Sequence, residues 1–241
     1  MNIQSIYATI LGDLAGQPFE YKFGKNLPKF NQIDLHNSKA HITDDSILTL
    51  ASCDFLIKQG QVSLEDIYKT YGINYPDCGF GKGFKKWIKT EPNTIGESWG
   101  NGSIMRIAPF IITKNEDLMM KSIQTSHHHP ISIQAGKELY NLYHKEKKEA
   151  PILIEPFETF NVKADFAIQT IKAIFSSTKS THQAIKQAIV LGGDTDTHAS
   201  IVAGLSAHHY SDITPKDIEY VESKLPKELL NILLKFKSLF Q

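Results

Sequence analysis

Two short acidic clusters, separated by most of the length of this 241-residue chain, constrain its fold more than any other feature. The first is Thr43-Asp44-Asp45, and the second is Gly192-Gly193-Asp194-Thr195-Asp196-Thr197. Carboxylates at contact distance repel one another, and burying them costs several kcal/mol per ion unless a cation neutralises them. A fold that brings the clusters together therefore makes a cage of oxygen ligands, which Mg²⁺ and Mn²⁺ prefer.

Each cluster also has a simpler interpretation as a helix N-cap. A Thr-Asp-Asp sequence before an apolar helix is good capping chemistry, so the first cluster alone does not distinguish a cap from a set of metal ligands. The second cluster has two aspartates, a threonine and a double glycine, which is more than a cap requires. Together the two clusters have enough candidate ligands to bind one or two divalent ions: Thr43, Asp44, Asp45, Asp194, Asp196 and Thr197.

A further carboxylate, Glu20, follows the end of the first predicted helix and precedes a long loop. A glutamate at such a place is usually a solvated surface residue. It can instead reach the metals as a ligand or act as a proton acceptor. The sequence leaves both interpretations open.

Two glycine-rich segments, 77–83 and 99–103, allow backbone N–H groups to approach an anion closely. Neither matches a P-loop or a dinucleotide-binding fingerprint, and each can be simply a loop. The sequence His127-His128-His129-Pro130 has no second pair of ligands at zinc spacing. We interpret it as a surface turn at the end of a helix, with ligand contact by one histidine as the alternative.

Hydrophobic periodicity predicts an all-α protein that forms a single domain over residues 1–241. Serine, threonine and aspartate caps, with glycine or proline stops, divide the chain into helices. No run of alternating β-branched residues indicates a strand. We expect residues 20–42 to be loop. Helices are expected near residues 3–16, 43–59, 84–88, 116–125, 131–145, 164–176, 180–191 and 197–209. Three more helices are expected to begin near residues 63, 215 and 226.

The composition excludes several classes of partner. The chain has 26 lysine and arginine residues and 26 aspartate and glutamate residues, so its formal net charge is zero. This charge does not favour binding to nucleic acids or acidic membranes. The two cysteines, Cys53 and Cys78, have neither zinc spacing nor a disulfide pattern. The apolar runs are far shorter than the ~20 residues of a membrane span, and the first residues lack a basic stretch followed by an apolar stretch and a small-residue cleavage site. We expect a monomeric cytoplasmic protein.

Taken in order, the motifs resemble those of the ADP-ribosylglycohydrolases, and the resemblance extends from residue 7 to about residue 210. These motifs are Gly12-Asp13-Leu14-Ala15-Gly16-Gln17-Pro18-Phe19-Glu20, Thr43-Asp44-Asp45-Ser46, Gly79-Phe80-Gly81, Gly100-Asn101-Gly102-Ser103-Ile104-Met105-Arg106, His127-His128-His129-Pro130 and Gly192-Gly193-Asp194-Thr195-Asp196-Thr197.

The resemblance implies an orthogonal all-α bundle with a dinuclear Mg²⁺ or Mn²⁺ centre. It implies a hydrolase that releases ADP-ribose from a modified protein side chain or a related molecule. The two clusters would bind the metals, and Glu20 or Asp45 would accept a proton. The loop at Gly79 would hold the diphosphate, the loop at Gly100 would surround the distal ribose, and His127 would lie near the nucleotide. The expected substrate contacts are Asp77, Gly79, Phe80, Gly81, Gly100, Asn101, Gly102, Ser103, Met105 and His127.

Two residues depart from the family pattern: His198 replaces an aliphatic residue, and Ile131 replaces a glutamate found in many compact members. Neither change removes a metal ligand, so they concern specificity. Two other functions are considered: an inactive ADP-ribose-binding module, and a metal-dependent phosphohydrolase that would release AMP. The presence of every cluster aspartate argues against the first, and the lack of an obvious lysine or arginine clamp beside the metals argues against the second. The sequence does not indicate the acceptor.

Overall fold

The computed structural model describes residues 2–145 and 150–240, and in these ranges the chain is all-α, as predicted. The described residues form no β-strand, only two isolated bridges that pair Glu97 with His127 and Gly100 with Lys163. The helices are α1 (Gln4–Gly16), α2 (Asp44–Lys58), α3 (Leu64–Asn74), α4 (Lys82–Trp87), α5 (Ala108–Ile112), α6 (Glu116–Ser126), α7 (Pro130–His144), α8 (Ala164–Ser177), α9 (Thr181–Leu191), α10 (Thr195–Tyr210), α11 (Pro215–Lys224) and α12 (Lys227–Phe240).

Side-chain caps begin several helices at the predicted residues. Thr43, Ser63 and Ser180 each accept a backbone N–H two or three residues further on, at 3.3, 3.0 and 3.2 Å. Pro215 occupies the first position of α11. A cap satisfies one of the N–H groups that a helix start leaves without an internal partner, so these local signals were sufficient to place the helix starts.

Three features of the fold differ from the prediction. Helix α5 was not predicted, because five residues beginning with Ala-Pro are too few to show a period. Residues 20–42 contain two short 3₁₀ turns, Gly24–Asn26 and Phe30–Gln32. Helix α10 begins at Thr195, so half of the second acidic cluster, Thr195 to Thr197, lies in its first turn and not in the loop before it.

Helices α1 and α10 pack against each other in an antiparallel pair at the centre of the protein. The C-terminal end of α1 lies beside the N-terminal end of α10, where a Cβ added to Gly16 would be 2.6 Å from the Asp196 Cα. One turn earlier, a Cβ added to Gly12 would be 2.8 Å from the Ser200 Cα. Both distances are too short for any side chain, so these glycines allow the two backbones to touch.

The other helices surround this pair and leave one end of it open to a cleft. Helices α8 and α9 pack on α10, and α2 packs on α1 while carrying α3 and α12 on its other sides. The start of α2 thereby meets the end of α1 and the start of α10. Among the described residues, no helix is long and apolar enough to cross a membrane.

Candidate functional site

The two acidic clusters meet at the open end of the α1–α10 pair. The Thr197 hydroxyl donates a hydrogen bond of 3.0 Å to Asp45 Oδ2, which joins residues 152 positions apart. Carboxylate oxygens of Glu20, Asp194 and Asp196 lie within 4.8 Å of one another. The prediction that the clusters lie together is thus confirmed. We call this group of side chains the acidic centre: Asp13, Glu20, Thr43, Asp44, Asp45, Asp194, Asp196 and Thr197.

A pair of backbone hydrogen bonds places Glu20 beside the second cluster. The Tyr21 N–H donates to the Gly193 carbonyl at 3.0 Å, and the Gly193 N–H donates to the Lys22 carbonyl at 3.2 Å. Gly193 has a φ of +78°, which side chains rarely tolerate, so glycine is needed to make this turn. The loop that follows α1 is therefore fixed to the residues that precede α10.

The side chains of the second cluster do not act as helix caps. Asp194 occupies the N-cap position of α10 but makes no side-chain capping bond, and it instead accepts a hydrogen bond of 2.7 Å from the Asn101 amide. In the described part of the chain, Oδ1 of Asp45 and Oδ1 of Asp196 are buried without any hydrogen-bond partner. Buried anionic oxygens without partners are costly, and a cation between them would satisfy them. The donor set, all oxygen, fits Mg²⁺ or Mn²⁺.

Burial and mutual repulsion alter the protonation of the acidic centre. The pKa values of Asp44, Asp45 and Asp196 are raised well above the usual range, first by burial and then by neighbouring carboxylates. Burial, followed by the charge of Asp194, raises the pKa of Glu20 to about 7. A cation that entered the centre would displace protons from these groups.

Asp13, which the sequence analysis did not include in the site, organises the first cluster. Its carboxylate is fully buried at the end of α1 and accepts hydrogen bonds from the Thr43 N–H at 2.9 Å and the Thr43 hydroxyl at 2.7 Å. It also accepts bonds from the N–H and the hydroxyl of Ser46. These bonds let Asp13 hold the start of α2 in place, and its carboxylate also lies within ligand distance of Asp45 and Asp196.

A cleft with a volume of about 830 Å³ extends from the acidic centre across the protein surface. Gly79, with a φ of +88°, lies at its head, because a Cβ there would be only 3.3 Å from Asp44 Oδ1. The cleft wall brings together most of the expected metal-binding and substrate-binding residues: Glu20, Asp44, Gly79, Gly81, Gly100, Asn101, Gly102, Met105, His127, Asp194, Asp196 and Thr197.

Three of the expected substrate contacts are not part of this wall. Phe80 is buried and stacks on Phe84, with ring centroids 4.9 Å apart. Ser103 is also buried, and its hydroxyl donates to the Gly100 carbonyl at 2.8 Å, which closes the turn. Asp77 is exposed to solvent outside the cleft. The side chains of Phe80 and Ser103 thus support the shape of the two glycine loops.

His127 is buried at the cleft wall, so the interpretation of the histidine run as a surface turn is wrong for this residue. The Ser126 hydroxyl accepts a bond of 2.7 Å from Arg106 and lies 2.8 Å from His127 Nδ1. Burial, and then the charge of Arg106, hold the pKa of His127 well below its usual range. The hydrogen bond between the Ser126 hydroxyl and Nδ1 forms with either ring tautomer of His127, and Nε2 lies beside Gly102.

The cleft also contains residues that the sequence analysis did not name as site residues. Tyr21 is 63% exposed with a φ of 61°, and its ring stacks on Phe160 with centroids 4.2 Å apart at the mouth of the acidic centre. Lys82 and Lys86 line the same wall further along. A lone tyrosine or lysine in a loop or short helix carries no periodic signal, so only the tertiary structure could identify these residues.

Comparisons with known proteins agree with this geometry. The family model described as ADP-ribosylglycohydrolase matches residues 3–145. A solved structure titled "ADP-ribosylglycohydrolase-related protein complex" has 18% sequence identity and a TM-score of 0.74, covering 100% of this chain and 98% of that chain, which shows that the two share a fold. No curated protein matches in sequence. Because the family model matches more than half of the residues, the chain belongs to the ADP-ribosylglycohydrolase family.

Proposed function

We propose that this protein is a Mg²⁺-dependent hydrolase that cleaves the glycosidic bond between ADP-ribose and an acceptor, either a protein side chain or a related molecule. The observation that carries the proposal is the acidic centre at the head of the cleft, with its buried and unpartnered oxygens on Asp45 and Asp196. Most buried polar atoms of a folded protein have a hydrogen-bond partner, so two such oxygens in one cluster support a cation site there. The proposal extends the family's glycohydrolase chemistry to a specific substrate class and metal.

The chain's oxygen donors suit two divalent ions, with Mn²⁺ as an alternative to Mg²⁺. One set of close carboxylates is Asp13, Asp45 and Asp196, and the other is Glu20, Asp194 and Asp196. Bound ions of this type supply positive charge that holds sugar hydroxyls and lowers the pKa of a water molecule. The residues that would hold them are Thr43, Asp44, Asp45, Asp194, Asp196 and Thr197, with Glu20 as a further contact.

Glu20 is the better of the two candidate proton acceptors. It is partly buried on the cleft wall, and burial raises its pKa to about 7, so it can take up a proton near neutral pH. Asp45 is 1% exposed and accepts the Thr197 hydrogen bond, so a substrate has less access to it. Cleavage leaves positive charge on the sugar carbon, which the carboxylates of the centre would stabilise.

Substrate orientation would depend on the two glycine loops and His127. Asn101 holds Asp194 and lies in the loop expected around the distal ribose. His127, kept neutral by burial and by Arg106, places Nε2 beside Gly102. A neutral imidazole nitrogen can form a hydrogen bond with a ligand hydroxyl without changing the charge of the site.

The deciding experiment is incubation with a panel of defined ADP-ribosylated substrates and Mg²⁺, with product masses as the readout. Free ADP-ribose is the expected product, and it should disappear when a chelator replaces Mg²⁺. The absence of product with bound ADP-ribose would favour an inactive binding module. Release of AMP would identify a phosphohydrolase and contradict the proposal.

A further inference from the structure

Two lysines on helix α4 face the cleft. Lys82 and Lys86 both line its wall, and residues four apart on a helix project from the same face with Cβ atoms about 5–6 Å apart. Lys85 and Lys89, in the same stretch of chain, are exposed but do not line the cleft. The four lysines thus divide into one pair that faces the cleft and one pair that faces solvent.

The lysines that face the cleft are not used in ion pairs of the protein itself. Elsewhere, Lys58 pairs with Asp54 at 2.7 Å and Lys172 with Glu138 at 2.6 Å. Over residues 2–145 and 150–240, neither Lys82 nor Lys86 has a carboxylate within 4.0 Å. Unpaired charges of one sign in a concave surface concentrate the electrostatic potential and attract a ligand of opposite charge.

The carboxylates of the acidic centre and the two lysines of α4 belong to different parts of the cleft wall, which also includes Glu97 and the buried Arg106. Gly79 lies against Asp44 of the acidic centre, and the chain reaches Lys82 three residues later. The wall also has apolar side chains at Phe84, Trp87 and Ile95. A phosphate would be repelled by the carboxylates at the head of the cleft and attracted by the lysines further along the wall, whereas a planar apolar group would fit against these apolar side chains.

We propose that Lys82 and Lys86 bind the diphosphate of the substrate and thereby orient ADP-ribose with its distal ribose at the acidic centre. The inference rests on the proposed function, which supplies a ligand with a sugar at one end and a diphosphate next to it. Gly81 and Gly83 flank Lys82, and a Cβ at either position would meet nothing within 4 Å. The ligand can therefore approach the backbone while the lysine side chains reach its phosphate oxygens, which ammonium groups bind as point charges.

The test measures binding of ADP-ribose by calorimetry in the presence of Mg²⁺. The double variant Lys82→Ala/Lys86→Ala should bind on the order of tenfold more weakly than the wild-type protein, because two charge-assisted hydrogen bonds are lost. The matched control Lys85→Ala/Lys89→Ala removes the same charge from the same segment and should stay within about twofold, since these side chains lie outside the cleft. Lys82→Arg/Lys86→Arg keeps the charge and should retain most of the affinity. All four positions are exposed, so the fold should persist, and the melting temperature checks this.

The outcomes separate this inference from the proposed function. If the wild-type protein binds ADP-ribose and the two alanine double variants lose affinity equally, the effect is general electrostatics and the inference is wrong. It is equally wrong if neither double variant changes the affinity. If the wild-type protein does not bind ADP-ribose, both proposals fail. Tight binding that depends on Lys82 and Lys86, without any hydrolysis, would refute the proposed reaction and leave the inference in place.

Discussion

The contact between α1 and α10 makes Gly16→Ala the most informative single substitution. A Cβ at Gly16 would lie 2.6 Å from the Asp196 Cα, whereas ordinary contacts lie at 3.4–4 Å, so the two helices must separate locally by about 1 Å. Overpacking typically costs ~1–3 kcal/mol, and a clash with backbone is at the upper end because backbone atoms cannot rotate away. Alanine returns about 1 kcal/mol of helix propensity. We expect a net loss of ~2 kcal/mol in the free energy of unfolding.

The same displacement should damage the acidic centre more than the fold. Asp196 moves with α10 while Asp45 stays with α2, and metal–ligand distances tolerate only about 0.2 Å of error. The free energy of unfolding, measured with urea with and without Mg²⁺, should show that Gly16→Ala has lost most of its Mg²⁺-dependent stabilisation. Gly83→Ala is the matched control, since it adds the same methyl group to a helix where nothing lies within 4 Å. Its stability should remain equal or rise by up to ~1 kcal/mol.

The reasoning would be refuted by a Gly16→Ala protein whose unfolding free energy stays within ~0.5 kcal/mol of wild type and whose response to Mg²⁺ is complete. That result would mean that the direct backbone contact does not determine where Asp196 lies. Loss of stability with an intact Mg²⁺ response would refute only the link between helix packing and the acidic centre.

Three further predictions concern the carboxylates. Asp196→Asn should abolish Mg²⁺-dependent turnover and thermal stabilisation, while the metal-free melting temperature holds or rises because repulsion is relieved; unchanged activity would contradict a metal role. Glu20→Gln should lower turnover by ~10²–10⁴-fold with ADP-ribose still bound, and a rate within about twofold would move proton transfer to Asp45. The raised pKa of Glu20, about 7 in the folded protein, means that the metal-free fold binds extra protons. The stability that protonated Glu20 contributes is complete at acidic pH and is lost as the pH rises through 7. The urea midpoint of the metal-free protein should therefore fall over this range, and a midpoint that does not change with pH would contradict the raised pKa of Glu20.

The helix starts and the meeting of the two acidic clusters could be predicted because their signals are local. Thr43, Ser63 and Ser180 reveal themselves by residue type and position before an apolar stretch. The clusters are recognisable because crowded carboxylates need a cation wherever they lie in the fold. Neither argument requires knowledge of tertiary packing.

The supporting residues could not be predicted, since their roles depend on partners distant in sequence. Asp13 appeared to be part of a helix-ending motif, and only its bonds to Thr43 and Ser46 reveal its function. Its place on the same face of α1 as the buried Ile6 and Ile10 was the one available signal. His127 was misplaced on the surface because Glu97 and Gly102, which lie against it, belong to another segment.

The hydrogen bond from Thr197 to Asp45 has a consequence for the order of folding. It closes a loop of 152 residues, and closures of this length cost much chain entropy and form late. At roughly 5–20 residues per second, a ribosome would take about 8–30 s to go from the first cluster to the second. During that interval the nascent chain has only one of the two clusters that we propose to bind ions. Any cation that requires both clusters is therefore captured after α10 has docked on α1, and its binding rate reports the completion of the native topology.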